Sequence, residues 1–84
     1  MTRRETVDKV FYKKLGEILS TERRKQGYSL RYLAELTGIS RTTIDRYELG
    51  VTRIDLTRWN AICNALQLPM NIHLKMTLGM RDYE

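Results

Sequence analysis

Residues 29 to 50, SLRYLAELTGISRTTIDRYELG, constrain the fold more than any other part of the chain. Ser29 is placed to cap a first helix, because its hydroxyl can accept a hydrogen bond from a free amide of the first turn. Gly38 follows that helix, where a left-handed backbone costs glycine little. Ser40 can then cap a second helix, which Gly50 ends. The segment therefore predicts two short helices joined by a tight turn, a helix-turn-helix.

The second helix separates apolar from polar side chains around its axis. Ile44 and Tyr47 share one side at helical spacing. The other side carries two guanidiniums, a hydroxyl and a carboxylate, from Arg41, Thr42, Asp45 and Arg46. These groups suit base edges in the DNA major groove: Arg pairs with guanine, Asp accepts from cytosine, and Thr contacts bases or a thymine methyl. A solvated polar face is the alternative for an isolated helix. The capped helix and turn before it favour base contacts from these four residues.

Many residues at fixed spacing match the pattern of one family. They are Leu33-Ala34, Gly38-Ile39-Ser40, Ile44 and Tyr47-Glu48-Leu49-Gly50, followed by Leu56, Ile62, Ala65 and Leu66. In this pattern the chain resembles the Cro/C1-type (XRE family) helix-turn-helix transcriptional regulators over residues 12 to 68. The resemblance implies a mainly α, lambda-repressor-like bundle of four to five helices that binds double-stranded DNA. Two positions depart from the family: Leu30 replaces a usual Gln, and Val51 a usual basic residue.

The resemblance also implies roles for residues around the second helix. Arg23 is expected to form a partly buried ion pair with Glu48, tying the first helix to the recognition helix. The alternative is that Arg23 only interacts favourably with the negative, C-terminal end of the dipole of the first helix. Contacts to DNA phosphates are expected from hydroxyls and guanidiniums of Ser29, Arg31, Ser40, Thr43, Arg53 and Arg58.

The remaining helices follow from apolar spacing within a single domain, residues 1–84, whose core spans 7–68. A first helix is expected over residues 7–26, with one apolar face made by Val7, Val10, Phe11, Leu15, Ile18 and Leu19. A fourth is expected over residues 55–67, capped by Asp55. Its inward side chains are expected to be Leu56, Trp59, Ile62, Cys63 and Leu66.

After Pro69 the apolar pattern changes from helical to alternating. Every second residue is apolar: Met70, Ile72, Leu74, Met76 and Leu78. This period predicts a strand, and no second strand is evident in the chain to pair with it. We expect residues 70–78 to pair with their copy across a two-fold axis, covered by the helix that carries Trp59 and Ile62. The resemblance supports this arrangement, because some antitoxin-type relatives dimerise in this way. The alternative for residues 70–78 is a fifth helix, which is common in repressor relatives.

Composition and charge narrow the function. At 84 residues there is room for one core, and the net charge of +5 favours an anionic partner. No apolar run is long enough for a membrane span, and no secretion signal is evident, so we expect a cytoplasmic, nucleoid-associated protein of a bacterium or phage. The single Cys63 suits a reducing compartment. No catalytic, metal-binding or cofactor-binding cluster is evident, so an enzyme is not expected.

The sequence therefore predicts a transcriptional regulator, by default a repressor, that binds a two-fold symmetric operator as a homodimer. One alternative is the antitoxin of a toxin–antitoxin pair, which binds its own operator and also a toxin. The sequence leaves open whether a protein partner, a toxin or an antirepressor, exists. A second alternative is an adaptor that keeps the fold without binding DNA, which the outward Arg41, Thr42 and Arg46 disfavour. Single-stranded nucleic acid is disfavoured because no surface aromatic platform is evident.

Overall fold

Four helices make up the part of the chain that the structure describes. The computed structural model describes the backbone of residues 3–68 and the side chains of residues 8–68. The helices are α1 (Arg3–Lys25), α2 (Leu30–Thr37), α3 (Arg41–Leu49) and α4 (Leu56–Leu66). The prediction of a mainly helical bundle is confirmed for these residues. The predicted strand at residues 70–78, with its five apolar side chains, lies outside them.

The caps of α2 and α3 fix the turn between the two helices. Ser29 Oγ accepts a hydrogen bond from Tyr32 N at 3.0 Å, and Ser40 Oγ accepts one from Thr43 N at 3.1 Å. Gly38 ends α2 with φ of 74°, a left-handed conformation in which glycine avoids the steric cost of a side chain. A serine cap therefore begins each of the two helices, and a left-handed glycine ends α2. The turn between the helices is short as a result.

The core lies where α3 and α4 pack against α1 and α2. Its buried members are Leu15, Leu19, Leu33, Ile39, Ile44, Tyr47, Trp59, Ile62, Cys63 and Leu66. Burial raises the pKa of the Cys63 thiol to about 11, so that thiol stays protonated at neutral pH. The inward positions of Trp59 and Cys63 were predicted correctly.

Three expectations about the helices were wrong. Helix α1 begins at Arg3, before the expected residue 7, because charged residues with good helix propensity extend it without adding to its apolar face. Val10 is 51% exposed, because α1, with 23 residues, extends beyond the shorter helices that pack against it. Leu56 is 69% exposed, because it is the first residue of α4 and the buried face of that helix starts one turn later, at Trp59.

Helix α1 and the end of α3 approach so closely that their backbones touch. A Cβ atom on Gly16 would lie 2.3 Å from Tyr47 O and 2.4 Å from Glu48 O. A Cβ on Gly50 would lie 2.6 Å from Lys13 Cα. Because two glycines meet backbone rather than flexible side chains here, α1 acts as the support on which α3 rests.

Candidate nucleic-acid interface

Helix α3 presents the polar face that its sequence predicts. Ile44 is 0% and Tyr47 5% exposed, whereas the opposite arc is solvent-exposed and consists of Arg41, Thr42, Asp45 and Arg46. Within residues 8–68, neither Arg41 nor Arg46 forms an ion pair or a side-chain hydrogen bond. Both guanidiniums therefore keep all their N–H donors available to a ligand.

The hydroxyls at the start of α3 form a small hydrogen-bonded unit. Ser40 Oγ accepts from the amide of Thr43 at 3.1 Å and donates to Thr43 Oγ1 at 2.7 Å. Because Thr43 Oγ1 is the acceptor in the second bond, its own O–H remains able to donate outward. The two residues thus cap α3 and offer one hydroxyl donor at its amino end, where the helix dipole also favours an anion.

Arg23 and Glu48 join α1 to α3 through a bidentate ion pair. Arg23 Nε lies 2.7 Å from Glu48 Oε2, and Nη2 lies 3.0 Å from Oε1. A third donor, Nη1, bonds to Tyr28 O at 2.8 Å. The hydrogen bonds to Glu48 raise the pKa of Arg23, against the opposing effect of burial. The side chains are only 11% and 7% exposed, so the pair is shielded from solvent and holds α3 against α1.

All three arginines expected to contact phosphate have carboxylate partners in the structure. Arg53 Nη2 lies 3.0 Å from Asp8 Oδ2, and its guanidinium stands over the Tyr12 ring, 5.9 Å from the centroid. Arg31 pairs with Glu35 at 3.7 Å. The third pair joins Arg58 to Asp55.

The pair of Arg58 and Asp55 combines a helix cap with a charge contact. The backbone amide of Arg58 donates to Asp55 Oδ1 at 2.8 Å, and its guanidinium bonds to the other carboxylate oxygen. The amide hydrogen bond is the main cause that lowers the pKa of Asp55, with a further contribution from the guanidinium. Asp55 therefore stays ionised at neutral pH, as a cap of α4 and a partner of Arg58.

These surface pairs do not prevent phosphate contacts. The side chains of Arg31, Arg53 and Arg58 are 85%, 72% and 53% exposed, and exposed ion pairs contribute only about 0–1 kcal/mol. A guanidinium has five donors, so it can keep one carboxylate and still reach a phosphate.

The carboxylate partners of these arginines were not predicted from the sequence, for two different reasons. Arg31 and Glu35 are spaced i,i+4, and Asp55 and Arg58 are spaced i,i+3, so the members of each pair are neighbours on one helix surface. The sequence alone was enough to predict these two contacts. Asp8 and Arg53 are 45 positions apart, and no local pattern predicts their contact.

Comparison with known families agrees with this geometry. A family model described as helix-turn-helix matches residues 19–72, which is more than half of the chain. The matched range includes α2, α3, α4 and every candidate DNA-contacting residue. No curated protein matches the chain. Among the described residues, no helix is long and apolar enough to cross a membrane.

Proposed function

The chain belongs to the Cro/C1-type family of helix-turn-helix DNA-binding domains, and we propose that it represses transcription as a homodimer on a two-fold symmetric operator. DNA-binding transcription regulation is the function typical of this family. The observation that carries the proposal is the outward face of α3, whose two arginines have no internal partner within residues 8–68. Repression is the default mechanism, because a protein bound at a promoter excludes polymerase.

In the proposed complex, α3 lies in the major groove and the surrounding residues bind the DNA backbone. Arg41, Thr42, Asp45 and Arg46 then face base edges. The hydroxyls of Ser29, Ser40 and Thr43 and the guanidiniums of Arg31, Arg53 and Arg58 contact phosphates, which position the helix but carry no sequence information. The supported α3 enters the groove at an angle set by its contacts with α1.

Base preference tests this proposal directly. Replacing Arg41 or Arg46 by Ala should cost about 1–3 kcal/mol on the cognate duplex for at least one of the two, and relax one base position per half-site. Selection of bound duplexes from a random pool, followed by sequencing, measures the preference. Arg24→Ala is the matched control, because it removes the same charge from an exposed position of α1. Unaltered preference in both α3 variants would move base readout away from the arginines.

Salt dependence tests the phosphate contacts. Arg53→Ala and Arg58→Ala should each weaken binding about equally on all sequences, and reduce the slope of log K against log salt by roughly 0.9. The reason is that each lost phosphate contact releases one condensed counterion fewer. Titrations at several salt concentrations, again with Arg24→Ala as control, give the slopes. Slopes equal to that of the unaltered protein would exclude both residues from the backbone contacts.

Substitution of Leu74, the central residue of the predicted strand, tests the proposed dimer. Leu74→Pro removes a ladder donor, and should shift the protein towards monomer and lower operator affinity sharply. Leu74→Val is the control, since it keeps the amide and a strand-favouring side chain. The dimer would also place half-sites about 34–36 Å apart, one helical turn of DNA. A chain truncated after Pro69 that still sediments as a dimer would move the interface onto the helices.

A further inference from the structure

The amino-terminal half of α1 lies beside the loop between α3 and α4. A Cβ atom on Gly50, the first residue of that loop, would lie 2.6 Å from Lys13 Cα and 3.2 Å from Lys13 Cβ. Further along the loop, Arg53 Nη2 lies 3.0 Å from Asp8 Oδ2, and the Arg53 guanidinium stands 5.9 Å from the centroid of the Tyr12 ring. Because Arg53 is proposed to contact a DNA phosphate, this part of α1 borders the proposed path of the DNA backbone.

Two exposed lysines lie on this part of α1. Within residues 8–68, neither Lys9 nor Lys13 forms an ion pair or a side-chain hydrogen bond. The two are four positions apart, so they are neighbours on one helix surface. Lys9 also lies seven positions, about two turns, before Gly16, whose missing Cβ would meet the carbonyl oxygens at the end of α3. The lysines are therefore on the side of α1 that meets α3 and the loop after it.

Two carboxylates on α1 are near these lysines in sequence, and neither neutralises them. Asp8 is already paired with Arg53. Glu17 is four positions after Lys13, but among the described residues it lies beyond ion-pair distance of that lysine. The surface that the two lysines form with Arg53 and Asp8 is therefore positively charged at neutral pH, and it favours an anion.

We propose that Lys9 and Lys13 bind DNA phosphates, extending the helix-turn-helix interface onto α1. Both residues precede the family match, which begins at residue 19, and the contacts implied by the family resemblance do not include them. A lysine ammonium binds phosphate as a point charge on a flexible stem, so α1 need not enter a groove itself. The inference rests on the proposed function in taking α3 as the helix that lies in the major groove.

Salt dependence of DNA binding by the full chain tests the two lysines. Lys9→Gln and Lys13→Gln each remove a charge and keep good helix propensity. Each should reduce the slope of log K against log salt by roughly 0.9 per bound chain. The deficit in affinity is then largest at low salt, and it narrows by roughly 3.5-fold per contact between about 50 and 200 mM salt. Two labelled probes are titrated: a duplex recovered by the random-pool selection, and a duplex of mixed sequence.

Lys14→Gln is the matched control. It removes the same charge from an exposed neighbouring position, which points about 100° away from Lys13 and about 140° away from Lys9 around the helix. The long-range attraction between the protein and DNA falls equally in all three variants, so a difference in slope reports direct contact. Lys9→Arg keeps the charge and should keep the original slope.

Ethylation of single phosphates on the selected duplex locates the contacts. An ethyl group on a phosphate that Lys13 binds should weaken the unaltered protein but leave Lys13→Gln unaffected. The same comparison with Arg53→Ala marks the phosphate of Arg53. Because both residues border one loop, the two phosphates should be close together on one strand, and phosphates on opposite sides of the half-site would overturn the proposal.

The outcomes separate this inference from the proposed function. Reduced slopes for both lysine variants on both probes, with the Lys14→Gln slope unchanged, support the proposal. An unchanged slope for either lysine variant, or an equal reduction in Lys14→Gln, overturns it. A selection that recovers no preferred sequence would refute sequence-specific regulation alone, since reduced slopes on the mixed-sequence duplex would still support the lysine contacts. Failure to bind either probe would overturn both.

Discussion

Replacing Glu48 by Ala is expected to lower the free energy of unfolding by about 3–5 kcal/mol, which is the cost of leaving a buried partner charge uncompensated. Arg23 is 9% exposed as a whole residue, and its guanidinium makes two bonds to the lost carboxylate, at 2.7 and 3.0 Å. Its remaining bond to Tyr28 O does not neutralise it. Urea unfolding followed by circular dichroism measures the loss.

Glu35→Ala is the matched control for this prediction. It removes the same side chain from the pair with Arg31, which lies at 3.7 Å with side chains 64% and 85% exposed. Exposed helix pairs of this kind contribute only about 0.3–0.5 kcal/mol. Equal losses in the two variants would mean that the Arg23 pair does not hold α3 to α1. Arg23→Met combined with Glu48→Leu should recover much of the stability lost in Glu48→Ala, since apolar side chains leave no charge unpaired.

Gly16→Ala should also destabilise the protein, against the usual direction of this change. A helix interior normally gains about 0.5–1 kcal/mol when Gly becomes Ala. Here the added Cβ would lie 2.3 Å from Tyr47 O and 2.4 Å from Glu48 O, and backbone carbonyls cannot rotate away. Overpacking of this kind costs about 1–3 kcal/mol or more. We therefore expect a lower thermal midpoint together with weaker operator binding, because α3 must shift.

Gly27→Ala separates this steric effect from backbone strain. Gly27 has φ of 73°, but nothing lies within 4 Å of its Cβ position. The control should cost only the left-handed penalty of about 1–2 kcal/mol and leave operator affinity near its original value. If Gly16→Ala proves neutral or stabilising, the backbone contact between α1 and α3 is not as close as described.

The local parts of the fold were predictable from the sequence. Serine caps, glycine stops and helical apolar spacing act over three or four residues, so Ser29, Gly38 and Ser40 placed α2 and α3 correctly. The same reasoning assigned Ile44 and Tyr47 to the core, and both are buried. The exposed arc of α3 then follows from the period of the helix.

The parts that sequence analysis missed depend on contacts between distant residues. Gly16 carries no local signal, because its reason lies on α3, more than 30 positions further along the chain. The partner of Arg53 lies 45 positions away. Leu56 fits the apolar period of α4 and was placed inside, but period alone does not tell where the neighbouring helices end. The residues proposed for DNA contacts remain predictions until they are tested on DNA.

The support of α3 by α1 has a consequence for how an operator is chosen. Backbone contact at Gly16 and Gly50 and the bidentate bond from Arg23 leave α3 little freedom to change its tilt. In the proposed homodimer, a duplex that does not match the fixed spacing of the two α3 helices must bend or twist to fit. Deformation energy depends on base sequence, and pyrimidine–purine steps are the easiest to distort. Operators should therefore be ranked partly by the flexibility of base pairs that no side chain touches.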